Sequence, residues 1–257
     1  VLKANNDNVI TIYNSSDYID ESLITAFEEE YNCTVNYYTF DTNETMYNQF
    51  TLQPEGTYDL LCPSEYMIQK LVSEDLIIPL DRSKLTTYNE YAAQNIKNKL
   101  DEMLTTAQKK DGSYYTLGDY AAGYMWGTMG IVYDPSYVDE EDVKTWDIFW
   151  NEKYHKMASV KNSMRDTYVV GILHAYQDEL NVYRQKYENG EISALEYNAK
   201  IQEVFDRHSQ EDINKVREEL ISMKNNIYGF EVDSGKNDII TGKIKMNLAW
   251  SGDAVYS

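Results

Sequence analysis

The sequence predicts an α/β protein in which mainly parallel sheets are flanked by helices. Short runs rich in β-branched and aromatic residues alternate with segments whose apolar residues recur at helical spacing. This alternation is typical of parallel sheets covered by helices. A chain of 257 residues suits one large domain or two lobes. A folded chain of this length has a large buried core, which excludes the class of small proteins held together by disulfide bonds.

The first part of the chain carries the alternation most clearly. VITIY (9–13), TVNYYTF (34–40) and YDLLC (58–62) are predicted strands, and each is followed by a polar turn and a helical pattern. Asp20 is placed to cap the first helix, Thr42 or Asn43 the second and Ser64 the third. The first helix places four apolar residues on one face: Leu23, Ile24, Phe27 and Tyr31.

The rest of the chain predicts further strands and a charged helical segment. The predicted strands are 114–117, 124–133, 157–160 and 243–250, and a helix is expected over 165–176 after a cap at Asn162 or Ser163. Trp146, Phe149 and Trp150 are expected to form a hydrophobic plug beneath a helix. Residues 178–224 are predicted to form a solvated helical hairpin that breaks at Asn189 and Gly190.

Composition excludes several classes of function. The chain has 23 Lys+Arg and 43 Asp+Glu, so its formal net charge is −20, which argues against nucleic acid or an anionic membrane surface as partner. The N-terminal residues lack a signal-peptide pattern, and no apolar run reaches the ~20 residues of a membrane span. Cys33 and Cys62 are expected to be unbonded, and the three histidines show no metal-binding spacing. We therefore expect no metal and no cofactor.

Polar loops follow each of the first three strands, at 14–18, 41–44 and 63–66. Ligands of parallel sheets gather beyond the carboxyl ends of the strands, so these loops are expected to converge. None of them contains Lys or Arg. They supply hydroxyls, rings and carboxylates: Ser15, Ser16, Asp17, Tyr18, Asn43, Glu44, Ser64, Glu65 and Tyr66. For Ser64 alone, helix capping is the simpler interpretation.

The chemistry of these loops favours binding of an organic cation over catalysis. The chain lacks GxSxG, GxGxxG and a complete phosphate loop, and with 43 acids an acidic pair is uninformative. An ammonium group needs carboxylates and hydroxyls, while methylenes between ammonium groups pack on aromatic rings. The 24 tyrosines and four tryptophans can supply both hydroxyls and rings.

Seven segments in order resemble the spermidine/putrescine-binding proteins of bacterial ABC importers: TIYNSSDYID, TNETMYNQF, YDLLCPSEYM, MWGTMGIVY, WDIFW, NSMRDT and NLAWSGDA. The resemblance implies a two-lobed, type II periplasmic-binding-protein-like fold with the solute in the cleft between the lobes. It predicts a first lobe over 1–119, a second over 120–250 that includes the inserted hairpin, and the start of a crossover at 251–257. The last part of the family fold is expected to be missing.

The resemblance also implies ligand-binding residues. In the loop after the first strand, Ser15 stands where the family has an aromatic residue, beside Ser16, while Asp17 and Tyr18 keep the acid and the ring. Ser64 and Tyr66 match a ligand-contacting pair. Later in the chain, Ser163 stands at an acidic position, Asp166 keeps the acid, Trp250 matches an aromatic wall and Asp253 matches a carboxylate of putrescine-preferring relatives. Fewer charges favour a short diamine over a triamine.

The function implied is capture of putrescine or spermidine outside the cytoplasmic membrane and delivery to an ABC transporter permease, without enzymatic activity. Membrane association would be peripheral, through a lipid anchor or permease docking. Three alternatives stay open: the same fold binding another small solute, an acid-pair hydrolase, and a sensor that contacts a protein through the helical hairpin.

Overall fold

The computed structural model describes residues 8–102 and 108–257. The chain divides into two compact units, Val1–Trp126 and Gly127–Ser257. In each unit, helices and 3₁₀ turns surround one small sheet. The predicted α/β class with parallel sheets flanked by helices is confirmed.

The first unit is built on a three-stranded parallel sheet in the order β2-β1-β3. Its elements are β1 (Val9–Ser15), α1 (Ser22–Tyr31), β2 (Thr34–Phe40), α2 (Asn43–Thr51), β3 (Leu60–Leu61), α3 (Glu65–Ser73), α4 (Thr86–Tyr91) and α5 (Gln94–Glu102). The predicted bounds of β2 are confirmed, whereas β3 is shorter than the expected 58–62.

The core of the first unit lies under β1 and β2. Tyr13, Phe40, Met46, Met67 and Leu71 are buried together, and the Tyr13 ring stacks on Tyr58 with centroids 4.9 Å apart. These residues come from β1, β2, α2 and α3, so the core holds both helices against the sheet. Burial of each large side chain contributes about 1.5–3 kcal/mol.

The apolar face of α1 is not buried, although its helical spacing predicts a face that packs on the core. Leu23 and Tyr31 are 59% and 61% exposed, and Phe27 is also exposed. The Phe27 and Tyr31 rings contact one another, with centroids 4.6 Å apart. Within the described part of the chain, no residue of α1 is buried.

The second unit contains a four-stranded sheet in the order β4-β7-β5-β6, in which β4 is antiparallel to β7 and the other pairs are parallel. Its elements are β4 (Met129–Tyr133), β5 (Ala158–Lys161), α6 (Met164–Ala175), α7 (Gln177–Glu188), α8 (Ala194–Phe205), α9 (Gln210–Asn226), β6 (Gly229–Glu231), α10 (Gly235–Ile240), β7 (Met246–Trp250) and α11 (Ser251–Tyr256).

The aromatic cluster expected in this unit is confirmed as core. Phe149 is fully buried with Leu248 and Val160 of the sheet. The Trp150 ring stacks on His174 of α6 at 3.7 Å, and its indole N–H donates to the Glu219 carbonyl at 3.0 Å. The segment therefore joins α6 and α9 to the face of the sheet.

Besides β3, several predicted elements differ from the structure, and the strand predicted over 243–250 begins only at Met246. Residues 114–117 form no strand, and Leu117–Asp119 make a 3₁₀ turn in which the Thr116 backbone N–H donates to the Asp119 carboxylate at 3.1 Å. The strand predicted over 124–133 begins only at Met129, and Trp126 is 71% exposed. Residues 178–224 are not one hairpin: α7 and α8 form a hairpin around the break near Gly190, and a third helix, α9, packs on α6. The polar residues 88–110 also predict a helical stretch, of which residues 103–107 lie outside the described residues.

Candidate functional site

The loop after β1 is joined to the loop after β2 at the carboxyl edge of the first sheet. The Ser16 hydroxyl donates to the Phe40 carbonyl at 3.3 Å and to a carboxylate oxygen of Asp41 at 3.4 Å. The Ser16 backbone N–H also donates to the Phe40 carbonyl, at 3.1 Å. Ser15 is the last residue of β1, so its backbone belongs to the sheet. Parallel pairing of β1 and β2 is what brings both loops to one edge.

The loop after β3 is joined to the same edge through α2. The Asn43 amide donates to the Ser64 hydroxyl at 3.0 Å and accepts from the Ser64 backbone N–H at 2.8 Å. The Tyr66 hydroxyl donates to the Glu44 carboxylate at 2.7 Å. Ser64 occupies the expected N-cap position of α3, but its side chain makes no capping hydrogen bond, and its hydroxyl contacts Asn43 of α2 instead. The three predicted loops do converge.

Asp17 and Tyr18 lie at the exposed tip of this edge. Asp17 has a left-handed backbone with φ of 54°, a conformation that Asp tolerates better than most residues. Tyr18 is 39% exposed, and its carbonyl accepts a hydrogen bond of 2.5 Å from the Tyr124 hydroxyl. The two rings lie with centroids 6.1 Å apart. Tyr124 thus places a second aromatic ring beside Tyr18 at the tip.

The electrostatics of this edge suit a cation. The three loops carry Asp17, Asp41, Glu44 and Glu65 and no basic residue. Burial raises the pKa of the Tyr124 phenol, as do the nearby Cys62 and Tyr37 side chains, so this hydroxyl stays protonated and acts as a donor at neutral pH. Carboxylates and aromatic rings in one place can neutralise and cover an organic ammonium.

The residues predicted in the second unit lie at the carboxyl ends of β5 and β7. The Ser163 hydroxyl caps α6 by accepting from the Asp166 backbone N–H at 3.4 Å. Asp166 itself is 9% exposed. Trp250 ends β7 and is 40% exposed, so its ring is available at the surface. Parallel pairing of β5 and β7 brings these residues to the same edge.

Asp253 is engaged by a buried lysine. Lys161 ends β5, its side chain is 3% exposed, and its ammonium lies 3.0 Å from Asp253 Oδ2 and 3.0 Å from Glu231 Oε1. It also donates to the Val232 carbonyl at 3.0 Å. The Lys236 ammonium lies 3.9 Å from Asp253 Oδ1. Asp253 therefore already has cationic partners within its own unit.

Local sequence patterns do not single out Tyr124, Lys161 and Glu231. Tyr124 was assigned to a strand because aromatic and β-branched residues follow it, and Glu231 ends a three-residue strand that was not predicted. Lys161 directly follows the predicted strand MASV. A lysine at that position indicates a charged side chain at the carboxyl end of the strand.

The model of one protein family, described as bacterial extracellular solute-binding protein, matches residues 22–256. The chain belongs to this family. The family is one of binding proteins, which confirms the prediction that the chain is not an enzyme. Nine curated proteins match the chain. They include spermidine/putrescine-binding proteins, so the predicted resemblance is confirmed.

Two curated relatives illustrate the similarity. The spermidine/putrescine-binding periplasmic protein of Salmonella typhimurium is 24% identical over 251 residues, which are 98% of this chain and 61% of the relative. The putrescine-binding periplasmic protein PotF of Escherichia coli is 26% identical over 248 residues, 94% of this chain and 58% of that protein. The chain thus spans about three fifths of the length of these relatives.

Solved structures show the same fold. A protein from Listeria monocytogenes matches with a TM-score of 0.73 at 26% identity, over 96% of this chain and 64% of that one. The spermidine/putrescine ABC transporter substrate-binding protein PotD of Streptococcus pneumoniae matches with a TM-score of 0.59 at 29% identity, over 96% and 63% of the two chains. The predicted periplasmic-binding-protein-like fold is confirmed.

The described residues contain neither a cluster of metal ligands nor a membrane-spanning helix. No group of three or more His, Cys, Asp or Glu side chains in 8–102 and 108–257 is arranged to hold a metal ion. No helix in the same ranges has the length and apolar character needed to cross a membrane.

Proposed function

We propose that this chain captures a polyamine, putrescine in preference to spermidine, for delivery to an ABC transporter permease. The observation that carries the proposal is the convergence of three acidic, aromatic loops without Lys or Arg at the carboxyl edge of the first sheet. The family membership and the printed functions of the relatives support it.

Each group at this edge has a role in the proposal. Asp17 supplies a countercharge for one ammonium group, and the rings of Tyr18 and Tyr124 cover the methylenes next to it. Ser64 and Tyr66 supply hydroxyl oxygens as acceptors, held in place by Asn43 and Glu44. In the second unit, Ser163, Asp166, Trp250 and Asp253 are the proposed ligand residues.

The proposal extends to location and partners. The family is extracellular, so we place the chain outside the cytoplasmic membrane. We propose that it is held at the membrane peripherally, through a lipid anchor or by docking to the permease. A lipoprotein from Treponema pallidum has the same fold, with a TM-score of 0.67 at 20% identity, which makes such a tether compatible with the fold.

The test is isothermal titration of the chain with putrescine and with spermidine, at low and at moderate salt. Binding should weaken as salt rises because an exposed cation site is screened. Asp17→Asn should weaken putrescine binding at least tenfold. Glu29→Gln is the matched control, since it removes an exposed carboxylate from α1 of the same unit and should leave affinity unchanged.

Absence of heat with both polyamines, in a chain that is folded by circular dichroism, would refute the polyamine proposal. Equal loss of affinity in Asp17→Asn and Glu29→Gln would refute the assigned role of Asp17, because it would show an effect of net charge alone.

A further inference from the structure

The buried ion cluster of Lys161, Glu231 and Asp253 has the composition of an ammonium site that is already filled. The Lys161 ammonium faces two carboxylates at 3.0 Å each and one backbone carbonyl at 3.0 Å. Carboxylates plus a neutral acceptor are the partners that any primary ammonium needs on leaving water. Here a side chain of the protein supplies the ammonium.

Burial shows that this cluster differs from a surface ion pair. The Lys161, Glu231 and Asp253 side chains are 3%, 5% and 17% exposed. The partners come from three separate places in the fold: Lys161 ends β5, Glu231 ends β6, and Asp253 lies in the first turn of α11. A buried charge is tolerated only when it is paired, so the cluster is held as a unit.

The charges of the four side chains of this group sum to zero. Glu231 and Asp253 carry two negative charges, Lys161 carries one positive charge, and Lys236 adds a second at 3.9 Å from Asp253. Lys161 and Glu231 end β5 and β6, and Asp253 lies in α11 directly after β7; Ser163, Asp166 and Trp250 lie at the same edge of the sheet. The proposed ligand residues of this unit therefore sit beside a neutralised cluster.

We propose that the Lys161 ammonium fills a cation site formed by Glu231, Asp253 and the Val232 carbonyl, and thereby makes the chain select solutes with fewer positive charges. This inference rests on the proposed function, because it concerns the choice among amines by the proposed ligand residues of the second unit. A triamine needs one more countercharge than a diamine, and Asp253 offers a ligand less negative charge while it is paired with Lys161.

A purely structural role for Lys161 predicts a different result. In that case, removal of the ammonium lowers stability and weakens all ligands alike. The selectivity role predicts that removal of the ammonium favours the longer, more highly charged ligand over the shorter one. The ratio of the two dissociation constants separates the roles, because a general loss of folded protein cancels in the ratio.

The first experiment measures that ratio in Lys161→Met and Lys161→Gln by titration with putrescine and spermidine. Met keeps the length of the side chain without charge, and Gln keeps a donor for the Val232 carbonyl. The expected result is a shift of the ratio toward spermidine by at least tenfold, or about 1.4 kcal/mol. Lys243→Met is the control: Lys243 pairs with Asp238 at 3.0 Å and is 49% exposed, and its loss should leave the ratio unchanged. A ratio within twofold of the wild type in both Lys161 variants overturns the inference.

A second experiment does not depend on polyamine capture. Lys161→Ala opens space beside Glu231 and Asp253, so n-propylammonium chloride should raise the melting temperature of this variant more than potassium chloride at equal ionic strength. The wild type should respond equally to both salts. If no form of the protein binds either polyamine, the proposed function fails, and the melting-temperature experiment alone then tests the cation site. A larger rise in the melting temperature of Lys161→Ala with n-propylammonium than with potassium supports the site. Equal responses in the variant and the wild type overturn it.

Discussion

Glu179 is the residue whose ionisation should most clearly affect the stability of the helical hairpin. Its carboxylate on α7 accepts two hydrogen bonds from Arg207, of 2.7 and 2.9 Å, and lies 2.7 Å from the Lys200 ammonium. The hydrogen bonds from Arg207, followed by that from Lys200, lower the pKa of Glu179 to about 2 from an ordinary 4.5. The Glu179 side chain is 34% exposed, so solvent screens the network. We therefore expect Glu179→Gln to cost about 1 kcal/mol at pH 7.

The pH dependence follows from the direction of this pKa shift. Because the folded pKa lies below the unfolded value, the contribution of Glu179 is complete above pH 4.5 and is lost as the pH falls toward 2. The difference in unfolding free energy between wild type and Glu179→Gln should be constant from about pH 7 to 5 and fall to less than half by about pH 3.

The assay is urea unfolding followed by circular dichroism at each pH. Glu188→Gln is the control, since Glu188 pairs only with Arg184 within the described α7, at 2.9 Å and with 55% exposure, and its loss should cost less than about 0.5 kcal/mol. If the difference in unfolding free energy between wild type and Glu179→Gln is the same at pH 3 and pH 7, Arg207 and Lys200 do not stabilise the Glu179 carboxylate as assigned.

Three further predictions concern packing and reactivity. Gly235→Ala should lower the free energy of unfolding in urea by about 1–3 kcal/mol, because the added Cβ would lie 1.8 Å from Asn247 Nδ2. Gly229→Ala is the control, since its Cβ meets nothing within 4 Å. Equal effects of the two substitutions would contradict this account. Leu248→Ala should cost about 2–5 kcal/mol because Leu248 is fully buried, and a loss under about 1 kcal/mol would show that the site refills. Burial raises the pKa of the Cys62 thiol to about 11. Iodoacetamide at pH 8 should therefore alkylate Cys62 at least about tenfold more slowly in the folded than in the urea-unfolded chain, because the thiolate is the reactive form. Equal rates of alkylation would exclude this pKa shift.

Local sequence patterns predicted the elements that carry their own signal. The bounds of β2 follow from an unbroken run of β-branched and aromatic residues between polar turns. The convergence of three loops followed from one topological rule, because parallel strands place all their carboxyl ends at one edge. Prediction failed at residues 114–117 and 124–128, where the same residue types occur outside any strand of the described structure. Strand propensity depends on pairing and burial, which a local pattern does not contain.

The sequence by itself determined the α/β class, the family resemblance and the acidic, aromatic character of the first loops. Only the tertiary structure decided which charges stay available. Asp253 was predicted as a countercharge from its position after Trp250, yet it lies against Lys161, which is 92 residues away in the chain. That contact exists because β5 and β7 pair in parallel and bring their ends together. Strand order is a property of the whole sheet, so no pattern around either residue could reveal it.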